Sequence, residues 1–198
     1  MSASAIPKLV LASASPRRRD LMTEAGYAFD VVVADVDESA IPVEGQNSVQ
    51  YAECLALAKA RDVARRFPDR IVIGADTVVD FNGEIIGKPA DAADAERITR
   101  MIFSAPHRVI TGLAILWLQR GIEIVRSDIT TVYPRRMTPE QLARHIAGGT
   151  WQGKAGAYAI QEGDDQHIDH IEGSFTNVVG LPMELLGCLL TDLNERFP

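Results

Sequence analysis

The sequence predicts an α/β fold built on a mixed sheet. Short apolar β-rich runs alternate with helical runs through the first hundred residues, the order expected of a sheet flanked by helices. Asn82-Gly83 lies between two β-rich runs as a two-residue hairpin signal, so part of the sheet is antiparallel. Two long β-rich runs, at 109–118 and 122–133, extend it through a tight turn around Gln119-Arg120-Gly121. No repeat, low-complexity tract or linker interrupts the 198 residues, which read as a single domain, 1–198.

Residues 8–13 read as a short buried strand. Ser15 at the N-cap and Pro16 at the first helical position then open a helix that Gly26 closes. Residues 29–34 form a second strand, followed by the acidic loop Asp35-Val36-Asp37-Glu38. Over residues 48–67 the spacing puts Val49, Ala52, Ala56, Ala60, Val63 and Phe67 on one stripe, with Arg61 and Arg65 on the far side. Lys59 falls roughly 60° from the centre of that stripe and leans to the covered side. Residues 71–81 form a strand, Asn82-Gly83 turns it, and 84–87 return antiparallel. An amphipathic helix over 91–103, the two long strands, and a helix from Thr138 to about Ala147 follow. The remainder predicts a Gly/Ala-rich strand around 155–161, another around 167–172, a polar loop from Gly173, and a last helix starting near Pro182.

The chain carries a net charge of -7, a pI near 5.1, a mean hydropathy near zero, and 46% hydrophobic against 24% charged residues. Such a composition supports a buried core and argues against disorder. An acidic chain lacks the broad positive field that nucleic-acid polymers or anionic membranes require, so neither is expected as a partner; a small charged ligand remains open. The longest strongly apolar run, 111–118, is far short of the about 20 residues that span a bilayer. Arg17, Arg18 and Arg19 follow the first apolar stretch instead of preceding it, against the order of a secretion signal. Cys54 and Cys188, each in an apolar helical stretch, read as buried thiols in a reducing compartment, which predicts a cytoplasmic protein without a disulfide or zinc framework. Of 20 basic residues only Lys8, Lys59, Lys88 and Lys154 are lysine, which weakly marks each of them as a chosen position.

Four stretches carry chemistry. Ser13-Ala14-Ser15-Pro16-Arg17-Arg18-Arg19 stands where a strand gives way to a helix; free N–H groups there attract anions and guanidinium groups add bidentate phosphate contacts. The same residues also fit a capped helix with a solvated basic face. Asp76 interrupts the apolar run 71–79, where a carboxylate is costly unless paired, metal-bound or open to a cleft. A two-residue turn at Asn82-Gly83 sets Phe81 opposite Glu84 and, counting back, Thr77 opposite Lys88, so Lys88 can join Asp76 only if the strand ends or bulges near Gly87. Asp35, Asp37 and Glu38 offer oxygen ligands of the kind Mg²⁺ takes alongside phosphates, or simply a solvated loop. Residues 154–161 combine small residues with the terminal amide of Gln161, which suits close approach of a ligand or packing under a helix. Strand alternation splits His167 from His170, which argues against a metal site there.

These motifs, Ser13-Ala14-Ser15-Pro16-Arg17-Arg18, Gly74-Ala75-Asp76-Thr77-Val78-Val79, Gly87-Lys88-Pro89, Thr111-Gly112, the stretch from Ala155 to Gln161, and Asn177-Val178-Val179-Gly180-Leu181-Pro182, occur in an order that resembles the Maf family of nucleoside triphosphate pyrophosphatases. The resemblance runs from about Lys8 to Leu190. It implies an elongated, twisted mixed sheet with flanking helices and a cleft between two lobes, as in inosine triphosphatase-like enzymes. It also implies hydrolysis of a nucleoside triphosphate to the monophosphate and pyrophosphate with a divalent cation, Mg²⁺ or Mn²⁺, in a nucleotide-pool housecleaning role. By motif, Asp76 is the expected catalytic base, Glu38 and Asp76 the metal ligands, and Ser13, Arg18, Lys59 and Lys88 the phosphate contacts. Arg17, Thr77 and Gln161 match the branch acting on dTTP and UTP. Ser104-Ala105-Pro106-His107 and Glu162 depart from the family pattern, and both departures bear on base preference. Action on 7-methyl-GTP or ITP, and a non-catalytic nucleotide-binding regulator of cell division, are the alternatives; a homodimer is the oligomeric state the resemblance implies.

Overall fold

The computed structural model describes residues 8–158, 160 and 167–197. Seven strands form one mixed sheet: β1 (Leu9–Leu11), β2 (Phe29–Val31), β3 (Val72–Phe81), β4 (Glu84–Ile86), β5 (His107–Trp117), β6 (Ile122–Pro134) and β7 (Ile168–Glu172). Their order is β2-β1-β3-β5-β6-β7, with β4 also on β3. β1 pairs parallel with β2 and β3, and every other pairing is antiparallel. The helices are α1 (Pro16–Glu24), α2 (Ser48–Arg66), α3 (Ala92–Ile102), α4 (Pro139–Gly148), α5 (Phe175–Val179) and α6 (Met183–Arg196).

The hairpin has the predicted register, Phe81 opposite Glu84, and Asn82 and Gly83 both take the positive φ that a tight two-residue turn demands. α2 carries the predicted small-residue stripe and lies close on one face of the sheet. An added Cβ on Gly74 would stand 2.4 Å from the Ala56 carbonyl oxygen, and one on Gly112 2.3 Å from that of Ala52. Alternation along β3 therefore sends Val72, Gly74 and Asp76 toward α2, and Ile73, Ala75 and Thr77 toward the other face. There Ile73 and Ala75 join the larger core with Leu21, Met22, Ile102 and Leu186 from the remaining helices and Leu181 from the turn between α5 and α6.

The sheet has one gap that matters. β3 pairs with β5 along residues 72–80; on its opposite edge β1 pairs at 72–73 and β4 at 79–81. Residues 74–78 thus have no strand beside them on that edge among the described residues. Asp76 and Thr77 stand in this opening, one toward each face.

Three expectations differ from the structure. The Gly/Ala-rich segment is not a strand: residues 155–157 make a 3-10 turn, with Gly156 at φ 71° and Ala157 at φ 61°, conformations a strand does not use. The polar loop after Gly173 contains α5, capped by Ser174, whose hydroxyl accepts from the Asn177 amide at 3.1 Å. Neither cysteine is buried: Cys54 is half-buried and Cys188 is exposed, because α6 turns its Leu186, Leu190 and Leu193 stripe inward and leaves position 188 outside it. No described helix is long and apolar enough to cross a membrane.

Candidate active site

The opening in the β3 edge leads into a cleft of about 610 Å³ lined by Ser13, Arg17, Arg18, Glu38, Lys59, Asp76, Thr77 and Lys88. The site residues that the family resemblance implies therefore reach one place, apart from Gln161, which lies outside the described residues. Each arrives by a separate route. Ser13 follows β1, Arg17 and Arg18 open α1, Glu38 opens a short 3-10 turn, Lys59 comes from α2, and Lys88 lies just beyond the end of β4 at Ile86. That strand end is what frees Lys88 from strict alternation with Asp76. Asp35 and Asp37 stay outside: the Asp35 amide donates to Asp62, and Asp37 caps the turn through the Ser39 amide at 3.0 Å.

Asp76 is 9% exposed, and its charge is met by Lys59, whose Nζ stands 2.5 Å from Asp76 Oδ1. The same Nζ is 2.7 Å from Glu38 Oε1, and Lys88 Nζ lies 3.9 Å from Glu38 Oε2. Two carboxylates thus converge on one ammonium. Burial raises the Glu38 carboxyl, but the Lys59 hydrogen bond and charge, with Lys88 and Arg18 beyond, bring it below its ordinary value.

Arg18 has a different environment. It is 9% exposed, and its guanidinium donates to the Gly180 carbonyl (2.7 Å), Ser13 Oγ (3.1 Å) and Thr77 Oγ1 (3.1 Å). All three acceptors are neutral, and no carboxylate forms an ion pair with Arg18 among the described residues. Burial lowers its pKa, Asp76 opposes that shift, and Arg17 adds to it; a guanidinium nonetheless stays charged. The predicted serine cap is replaced in part: the Ser15 side chain makes no cap bond, and its amide instead donates to Ser13 Oγ at 3.2 Å.

The far wall of the cleft comes from residues 154–158 and 160, where the sequence left ligand approach and packing both open, and from the motif at 177–182. Lys154, Ala155, Tyr158, Ile160, Val179 and Gly180 also line it. Lys154 had the weak signal of being one of four lysines, three of which meet here. Tyr158 lay within that stretch without a role of its own; it is fixed by the buried His107, whose Nε2 lies 2.9 Å from the Tyr158 hydroxyl. His107 Nδ1 lies 3.1 Å from the Ile102 carbonyl, so Nδ1 carries the proton and Tyr158 donates to Nε2. His167 lies just before β7 and is buried beside Phe103, whereas His170, within β7, lies exposed against Tyr133, so the two histidines stand apart but not on one exposed strand.

Fold and site together define a mixed-sheet α/β protein with a cation-lined cleft at an opened strand edge. The chain belongs to the Maf-like protein family, whose model matches residues 8–193. It is 46% identical over 188 residues to the "dTTP/UTP pyrophosphatase" of Geotalea uraniireducens, covering 95% of this chain and 94% of that one. It is 37% identical over 188 residues to the protein of the same name from Ruminiclostridium cellulolyticum, covering 95% and 97%. A solved structure of a HAM1 protein from Coxiella burnetii matches with TM-score 0.47 and 13% identity, over 94% of this chain and 100% of that one.

Proposed function

We propose that this chain hydrolyses a nucleoside triphosphate of the dTTP/UTP type to the monophosphate and pyrophosphate. The observation that carries this is Arg18: a buried guanidinium held, among the described residues, by neutral acceptors, facing a cleft where Lys59 and Lys88 already stand. A buried cation without a counter-ion is costly and is stabilised by an anionic ligand. The names of the relatives supply the substrate class.

In the proposed reaction a water oxygen bonds to the α-phosphorus, the bridging P–O bond to the β-phosphate breaks, and pyrophosphate leaves with the electron pair. The Asp76 carboxylate takes the proton of the water. Arg18, Lys59 and Lys88 meet the charge that grows on the leaving oxygens and hold the chain of phosphates in line. Glu38 and Asp76, converging on one cationic point, are the two carboxylates that would hold a Mg²⁺ or Mn²⁺ ion, which supplies charge neutralisation on the phosphate oxygens. Two unpaired cysteines fit a reducing compartment such as the cytoplasm.

Pyrophosphate release is measured for dTTP, UTP, 7-methyl-GTP and ITP side by side with Mg²⁺ or Mn²⁺. Fastest release from dTTP and UTP supports the assignment. Preference for 7-methyl-GTP or ITP moves the base, and no release from any nucleotide leaves a binding protein.

A further inference from the structure

The Thr77 hydroxyl stands at the cleft with its proton already engaged. Thr111, wholly buried on β5 directly opposite Thr77, donates its single hydroxyl proton to the Asn177 carbonyl at 3.1 Å, and its oxygen lies 2.9 Å from Thr77 Oγ1. With that proton on Asn177, the bond between the two hydroxyls has Thr77 as its donor. The reverse arrangement would leave the Asn177 carbonyl buried without this partner and send the Thr77 proton to the Gly180 carbonyl at a longer 3.4 Å, the costlier choice. Asn177 is itself clamped, its amide donating to the Val109 carbonyl at 3.1 Å and Thr130 Oγ1 at 2.9 Å. Arg18 Nη2 takes one lone pair of Thr77. Thr77, which lines the cleft, is therefore left with one lone pair and no proton to give.

The two sides of the cleft sort the halves of a nucleotide. Asp76, Glu38, Lys59 and Lys88 gather on the α2 side. Thr77 faces the other side, where Tyr158, Ile160 and Val179 form an apolar wall and Lys154 donates to the Thr150 carbonyl. The phosphates belong with the charges of the α2 side and with Arg18, whose guanidinium reaches Thr77 at the boundary between the two sides, and the base with the apolar wall.

We propose that Thr111, through Asn177, is a positioning residue that makes Thr77 an acceptor only, so that the cleft selects a base presenting an N–H donor there, as uracil and thymine do at N3 and cytosine does not. This rests on the proposed action on nucleoside triphosphates. UTP and CTP share the ribose and triphosphate, so their kcat/KM ratio reads the polarity. Thr111→Val frees the Thr77 proton to turn; the UTP/CTP ratio is expected to fall about tenfold, with the loss for UTP mainly in KM. Thr111→Ser keeps the hydroxyl chain and is expected to hold the ratio within about twofold. A purely structural role lowers both substrates together and leaves the ratio unchanged, which overturns the assignment. Wild-type turnover of UTP is the internal control: its absence overturns both proposals, whereas turnover with a ratio indifferent to Thr111→Val overturns this one alone. Should that variant fail to fold, 3-methyl-UTP decides with the wild-type protein, since hydrolysis as fast as that of UTP contradicts a donor requirement at N3.

Discussion

Asp76 was legible in the sequence because a carboxylate in the apolar run 71–79 needs a partner, and the partner is Lys59 at 2.5 Å. Asp76→Asn keeps the shape and removes the base. Turnover is expected to fall about 100-fold or more while nucleotide binding, followed by calorimetry, persists; near-normal turnover removes Asp76 from the role of base. The stretch holding Tyr158 was legible but the placement of its ring was not, because what fixes it is a histidine 51 positions away in the chain. Burial pushes that histidine, His107, down to about 4, against the opposing pull of the Ile102 and Ala105 carbonyls. An unfolded histidine titrates near 6.5, so between about 6.5 and about 4 the unfolded chain takes up a proton that the folded chain does not. Stability is thus full above about pH 6.5 and is lost as pH falls toward 4, by about 3 kcal/mol from this group. Urea unfolding followed against pH checks it, and His107→Gln is expected to flatten that part of the profile.

Among the elements, α2 and the β3–β4 hairpin were readable from local signals alone: a small-residue stripe at helical spacing and Asn-Gly between β-rich runs. Their pairing places Lys59 on Asp76, and Gly74 is the reason the helix comes so near. Gly74→Ala would put a Cβ 2.4 Å from the Ala56 carbonyl oxygen and 2.8 Å from the Ala60 Cβ, neither of which can move without the helix. The variant is expected to lose about 1–3 kcal/mol in denaturant unfolding and to lose activity beyond that, as Lys59 is drawn from Asp76. Unchanged stability in Gly74→Ala contradicts the close packing described. The turn at 155–157 and the helix at 175–179 were misread because small and polar residues take their conformation from what they pack against. Gly156, for one, sits where a Cβ would meet Val79 at 2.9 Å, a contact set by tertiary structure.

Across the whole molecule, a net charge of -7 coexists with a cleft that gathers Arg17, Arg18, Lys59, Lys88 and Lys154. Other arginines serve the surface: Arg61 with Glu123, Arg66 with Asp62 and Arg100 with Glu96 are exposed pairs that add little to stability. A small positive cleft in a negative body attracts an anionic ligand over a short range that salt screens. KM for the nucleotide is therefore expected to rise several-fold between about 0.05 and about 0.5 M salt, with kcat little changed. A KM indifferent to salt contradicts binding through these cations. Chelation of divalent metal is expected to stop turnover and to leave the thermal unfolding temperature of the free protein unchanged, because the two proposed ligands, Glu38 and Asp76, line the cleft and not the hydrophobic core.

Hydrolysis of dTTP and UTP in ¹⁸O-labelled water tests the central claim most directly, since the label records which phosphorus the water attacks. Attack at the α-phosphorus by water that Asp76 deprotonates predicts label in the nucleoside monophosphate and none in the pyrophosphate. Label in pyrophosphate or orthophosphate, or no hydrolysis at all, contradicts it.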